Sequence, residues 1–153
     1  MKKLLSLTAF IFLSLSVVFT GCSKEESKTS TSSTEQKEFK YYTAEETKKA
    51  IEEKKDIILL DIQVEDEFKA HHLNGVIPTY AYPVKSDEDK AKLEKVLPDL
   101  KKSTSPIIIV CPGGAGGAER TFAYLSEKGI DKDRLYILEK GQKGWPYEDL
   151  LEK

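Results

Sequence analysis

The chain is poor in the residues that most often carry chemistry: two cysteines, two histidines, one methionine and one tryptophan in 153 residues. Cys22 and Cys111 lie far apart, in segments of different character, so they do not make the disulfide framework that holds many small secreted domains. His71 and His72 are adjacent. Neighbouring side chains on a helix or strand point apart and no third ligand is close in sequence, so no metal site is expected. An excess of positive charge is also missing, with 24 basic residues against 26 acidic ones and a formal net charge of −2. Lysines and glutamates intermix as on a solvated surface, which removes the electrostatic footprint of a nucleic-acid binder. No internal repeat is present and no pattern points to a cofactor.

The one long apolar run stands at the start. Met1-Lys2-Lys3 is basic, Leu4 to Phe19 is uncharged and mostly apolar, and Thr20-Gly21-Cys22 leads into a polar stretch. As a helix the run would span roughly 24 Å, short of the ~30 Å hydrocarbon core, so residues 1–21 read as a signal peptide rather than a permanent span. Small residues followed by Cys22 resemble the lipobox of bacterial lipoproteins. That resemblance implies that Cys22 is lipidated, that it becomes the mature N-terminus, and that the protein is anchored to a membrane on its extracytoplasmic side. Ser23 to Glu38 has no aliphatic or aromatic residue and is expected to serve, with Cys22, as a flexible polar tether over residues 22–38. The remainder, residues 39–153, has the size of one domain.

Within that domain Thr43-Ala44-Glu45-Glu46 fits a capping box, opening a helix to about Lys55. Ile57 to Asp61, Pro106 to Val110 and Leu135 to Leu138 are short apolar runs suited to buried strands. Gly75 to Pro78 reads as a brief extended segment. Helices are expected over Glu65 to Ala70, Asp87 to Leu97 (ended by Pro98) and Ala118 to Lys128 (stopped by Gly129), with a final short one opened by Gly144-Trp145-Pro146. Alternating strands and helices predict an α/β fold, a central, largely parallel sheet flanked by helices. The ligand crevice of such a sheet lies beyond the carboxyl ends of its strands, where Asp61 and Cys111 both fall.

Cys111 ends an apolar β-branched run and is followed by Pro112, Gly113, Gly114, Ala115, Gly116, Gly117 and Ala118. No Gly-Lys-Ser/Thr closes this loop, and its glycine spacing is not the dinucleotide fingerprint. Successive loop amides and the following helix N-terminus form a cradle for negative charge, which favours a thiolate, the nucleophilic form of the thiol. The plainer reading is a small apolar residue closing a buried strand. Arg120 is either an anion-binding group or a solvated helix residue, and Asp61 suits the capping of the turn after its strand.

Four blocks in order resemble the rhodanese-like family: Leu59-Leu60-Asp61-Ile62; Glu67-Phe68-Lys69-Ala70-His71-His72-Leu73-Asn74-Gly75-Val76; Ile108-Ile109-Val110-Cys111; and Leu138 to Trp145. The resemblance runs from about Tyr41 to Leu151. It implies a sulfurtransferase in which Cys111 is catalytic, residues 112–118 with Arg120 form the substrate-binding loop, and Asp61 supports the site. An exposed Cys111 would accept sulfane sulfur from thiosulfate, a polysulfide or a persulfide and pass it to a thiol acceptor. His72 matches the family's structural histidine. Gln63 stands where the family usually has Arg, and Gly117 is nearest the place of the usual basic residue before the helix. The loop reads as one residue longer than in typical sulfurtransferases. Two alternatives follow: a non-catalytic binding module, or oxyanion or phosphate chemistry in the longer loop.

Overall fold

The computed structural model describes residues 39–153; the signal peptide, Cys22 and the polar tether read from the sequence lie outside the described residues. Strand β1 (Tyr41–Tyr42) precedes helix α1 (Ala44–Glu52), β2 (Ile58–Asp61), α2 (Glu65–Ala70), β3 (His72–Leu73) and β4 (Ile77–Pro78). Helices α3 (Asp87–Glu94) and α4 (Leu97–Lys102) lead to β5 (Ile107–Val110), α5 (Gly116–Glu127), β6 (Leu135–Leu138) and β7 (Leu151–Glu152). Five strands form one sheet in the order β1-β6-β5-β2-β4, every pair parallel. β3 and β7 make a separate antiparallel pair.

The central strands are almost continuously apolar, Asp61 at the end of β2 excepted, because both faces of the sheet are covered. Leu60, Ile107, Ile109 and Ile137 pack on one side with Leu93, Leu97, Leu100, Ala118, Phe122 and Leu125 from α3, α4 and α5. Leu59, Ile108, Val110 and Leu138 pack on the other with Trp145, Ile51 and Tyr147. Residues one apart in a strand thus serve opposite cores, and each fully buried Leu or Ile contributes roughly 1.5–3 kcal/mol. Helices lie on both faces, as expected from the sequence.

The capping box is present: Glu46 N–H donates to Thr43 Oγ1 at 3.1 Å, and Thr43 N–H donates to Glu46 Oε2 at 2.8 Å. Gly129, at φ +91°, follows the end of α5. Helix α1 ends at Glu52, short of the expected Lys55, and two readings near prolines differ more. Pro98 does not end a helix but sits in the first turn of α4, where its missing N–H has no intrahelical acceptor to lose; the preceding helix stops at Glu94. No α-helix follows Trp145. Its indole N–H donates to the Tyr147 carbonyl at 2.8 Å, a single 3₁₀ turn spans Glu148–Leu150, and the chain then joins β3 as a strand.

Candidate functional site around Cys111

Parallel pairing puts Val110 opposite Asp61, so Cys111 leaves the sheet beside the end of β2. Helix α5 begins at Gly116 rather than Ala118, because glycines 116 and 117 enter its first turn; the connection from strand to helix is therefore Cys111 to Ala115. Within it Gly114 N–H donates to Cys111 Sγ at 3.1 Å. Among the described residues, the amides of Gly113, Ala115, Gly116 and Gly117 donate to no backbone acceptor. Cys111 Sγ thus accepts one loop amide and is followed, after Ala115, by the N-terminus of a twelve-residue helix, two features that favour an anion through backbone dipoles. The side chain is not exposed as the resemblance implies: Cys111 is only 2% accessible, because it closes a strand buried on both faces and packs into the core shared with α5. Pro112 and Ala118 are also buried, whereas Gly113 and Ala115 are exposed.

The loop is held from behind by the segment after β6. Gln142 N–H donates to the Cys111 carbonyl at 2.8 Å and Lys143 N–H to the Pro112 carbonyl at 3.0 Å. Gly114 (φ +67°) and Gly141 (φ +59°) meet across this contact. A Cβ on Gly114 would stand 2.6 Å from the amide nitrogen of Gly141, and one on Gly141 only 2.2 Å from the Cys111 carbonyl oxygen. Both positions therefore require glycine for backbone conformation and for close approach. The role of Gly141 is missed by sequence reasoning about the loop itself, although the block from Leu138 to Trp145 contains it.

Arg120 lies one helical turn beyond Gly116 and its side chain runs back toward the start of α5. A Cβ on Gly116 would be 3.1 Å from Arg120 Nη1, and Arg120 Nε donates to the Pro83 carbonyl at 2.8 Å. Beside it Tyr82 lies so close to Gly117 that a Cβ there would come within 2.8 Å of the ring. Nothing in the local sequence around Tyr82 or Pro83 signals this contact, which depends on a segment 37 residues from Arg120.

Asp61 supports the adjoining turn. Its Oδ1 accepts from Gln63 N–H at 2.7 Å and its Oδ2 from the Gln63 side-chain amide at 3.0 Å, while its carbonyl accepts from the Thr79 hydroxyl at 2.9 Å. The residue has no exposed surface. Burial pushes its carboxyl up from 3.8 to about 6, against the opposing pull of the Gln63 hydrogen bonds and of His72. The side chain faces its own turn rather than an open crevice. His72 stacks on Phe68, with ring centroids 3.8 Å apart, and its Nδ1 lies 2.9 Å from the Phe68 carbonyl at the end of α2. His71 Nδ1 is 3.4 Å from the Gln142 side-chain amide. The two histidines serve different neighbours.

A single parallel α/β domain with a cysteine at the carboxyl end of a central strand defines the class, and the comparisons give the family. The Rhodanese-like domain family matches residues 43–147, and the chain belongs to it. A rhodanese-like domain protein of Staphylococcus aureus is 25% identical, with 73% of this chain and 96% of that one covered and a TM-score of 0.50. The thiosulfate sulfurtransferase of Pseudomonas aeruginosa is 20% identical over 70% of this chain but 18% of its own length, with a TM-score of 0.54. A yeast protein tyrosine phosphatase of the Rhodanese family is 16% identical, covering 70% of this chain and 83% of that one, at a TM-score of 0.54. The last two likenesses show the fold alone. No curated protein matches the sequence at a significant level.

Proposed function

We propose that the domain is a sulfurtransferase in which Cys111 carries sulfane sulfur. The observation that carries this reading is the loop: Sγ accepts one of its amides, and four further amides between Gly113 and Gly117 donate to no backbone acceptor among the described residues. In the first step the Cys111 thiolate attacks the outer sulfur of thiosulfate. A bond forms between the two sulfurs, the donor's S–S bond breaks, and its electron pair leaves with sulfite. The terminal sulfur of the new persulfide bears the negative charge, and the loop amides offer it fixed donors without reorganisation. In the second step the thiolate of an acceptor attacks that terminal sulfur, takes it as its own persulfide, and returns Cys111 as a thiolate. A polysulfide or low-molecular-weight persulfide serves as donor by the same attack. Burial of Cys111 favours donors that present a narrow terminal sulfur. The lipobox-like Gly21-Cys22 supports action from a membrane anchor on the extracytoplasmic side, where acyl chains on one cysteine suffice for stable attachment; Cys22→Ala is expected to release the protein from membranes or block its processing.

The deciding experiment is mass spectrometry of the protein after exposure to thiosulfate, polysulfide or a persulfide. The expected result is a gain of one sulfur atom on Cys111, removed by a thiol and absent in Cys111→Ser. If none of the three donors modifies Cys111, the domain is a binding module. If it instead hydrolyses a phosphoester and Cys111→Ser does not, the loop performs phosphate chemistry.

A further inference from the structure

We propose that the ring of Tyr82 is a fixed wall beside Cys111 that sets how wide a sulfur donor the site admits. This rests on the reading of Cys111 as the sulfur acceptor and adds the class of donor: a narrow inorganic chain such as thiosulfate or a short polysulfide, rather than a peptide-sized persulfide. A row of backbone hydrogen bonds places the residue. Ile62 N–H donates to the Val110 carbonyl at 2.9 Å, and Tyr82 N–H donates to the Ile62 carbonyl at 2.7 Å. Tyr82 thus stands two strand positions from the residue before Cys111, about 10 Å away at ~4.8 Å per step. Its side chain returns across that gap: a Cβ on Gly117 would lie 2.8 Å from the Tyr82 ring and 3.4 Å from Ile62 Cδ1. The ring therefore spans the end of β2 and reaches the first turn of the helix that follows Cys111. Ile62, Ala118 and Cys111 belong to one core, so the ring and Sγ lie on the same face of the sheet. Gly117 is buried beneath the ring. Tyr82 itself is 36% exposed, so the ring is part of the outer surface over this corner of the site, while the thiol is 2% accessible. The turn that carries the ring is held rather than hinged. Ala81 and Val84 at its ends are buried and are joined by a bond of 2.8 Å from Val84 N–H to the Ala81 carbonyl. Its tip is tied to α5 by Arg120 Nε on the Pro83 carbonyl, also at 2.8 Å. On the far side of the loop, Gly141 packs backbone against backbone. A site fixed on both sides discriminates by steric conflict with the wider ligand.

The test compares full-length wild type with Tyr82→Ala, Tyr82→Phe and Gly117→Ala. Alkylation of Cys111 by iodoacetamide and by its N-phenyl derivative is followed by mass spectrometry. The two reagents share a reacting carbon and differ in width, so the ratio of their rates cancels any change in thiolate fraction. Tyr82→Ala is expected to raise the ratio of wide to narrow reagent roughly 10-fold or more, the scale on which a packed site separates ligands of different size. The rate of persulfide formation from glutathione persulfide, relative to that from thiosulfate, is expected to rise with it. Gly117→Ala, whose Cβ pushes the ring aside, is expected to do the same, and Tyr82→Phe, which keeps the ring, to match wild type. A Tyr82→Ala ratio within about twofold of wild type overturns the proposal, even where both rates rise together, and assigns Tyr82 to packing alone. Absence of any persulfide in wild type counts against the sulfur-transfer reading instead, and the alkylation ratio then still decides whether Tyr82 is the wall.

Discussion

Among the described residues Asp61 is the one whose ionisation is shifted far enough to couple visibly to folding. In the native protein its carboxyl titrates at about 6 because burial disfavours the charged form, against 3.8 ordinarily. Between those values the folded state holds a proton that the unfolded chain has released, so stability falls as pH rises through this interval. The contribution is complete below about pH 3.8 and lost above about pH 6, with a ceiling of roughly 3 kcal/mol at 1.36 kcal/mol per pKa unit. Asp61→Asn keeps an oxygen for the Gln63 amide of the turn and needs only a reorientation of the Gln63 side chain. It is expected to be more stable than wild type at pH 7.5 by about 1–3 kcal/mol, with the advantage shrinking toward pH 4.5. Urea denaturation at the two pH values checks this, and an equal difference at both would remove the assigned cause. Gln63 matters here for what it does not bring: an amide shares the buried site with the carboxylate where the family usually offers a cation.

At the scale of the element, the strand–loop–helix around Cys111 is held by two glycines that face each other and one that faces nothing. Gly114→Ala and Gly141→Ala each place a Cβ against backbone atoms, at 2.6 Å and 2.2 Å, in a conformation that L side chains rarely adopt. Each is expected to cost about 3 kcal/mol or more and to abolish persulfide formation. Gly113→Ala meets nothing within 4 Å and is expected to stay within about 0.5 kcal/mol of wild type. Thermal melts paired with mass spectrometry separate the two outcomes; a tolerated Gly141→Ala would mean that the loop is not braced from behind. The same element shows what was legible in advance. The cysteine after an apolar run, the glycine loop, the Thr43 box and the Gly129 stop depend on neighbours a few residues away, and each reads directly. The Pro98 error also has a local cause, since the same residue ends one helix or begins another and only packing of Leu97 and Leu100 into the core decides. The brace from Gly141, the return of Arg120 to Pro83 and Tyr82 over Gly117 depend on which strands become neighbours, which local periodicity does not contain.

At the scale of the molecule, residues 39–153 have two cores, one on each face of a single sheet, and every central strand belongs to both. Neither core can be lost alone, so unfolding is expected to be a single cooperative step. Trp145, the lone tryptophan, sits in one core, while α5 packs on the other. Its fluorescence and the far-ultraviolet circular dichroism should therefore change together in denaturant; a separated fluorescence transition would show that the two faces melt independently. The sheet's outermost strands, Tyr41–Tyr42 and Ile77–Pro78, are two residues long. A growing stack of chains needs a run of free amide and carbonyl groups to copy, and this sheet offers little: one margin is a dipeptide, and the other ends in a proline that has no N–H to give. The domain can thus be concentrated without its sheet becoming the seed of a fibre.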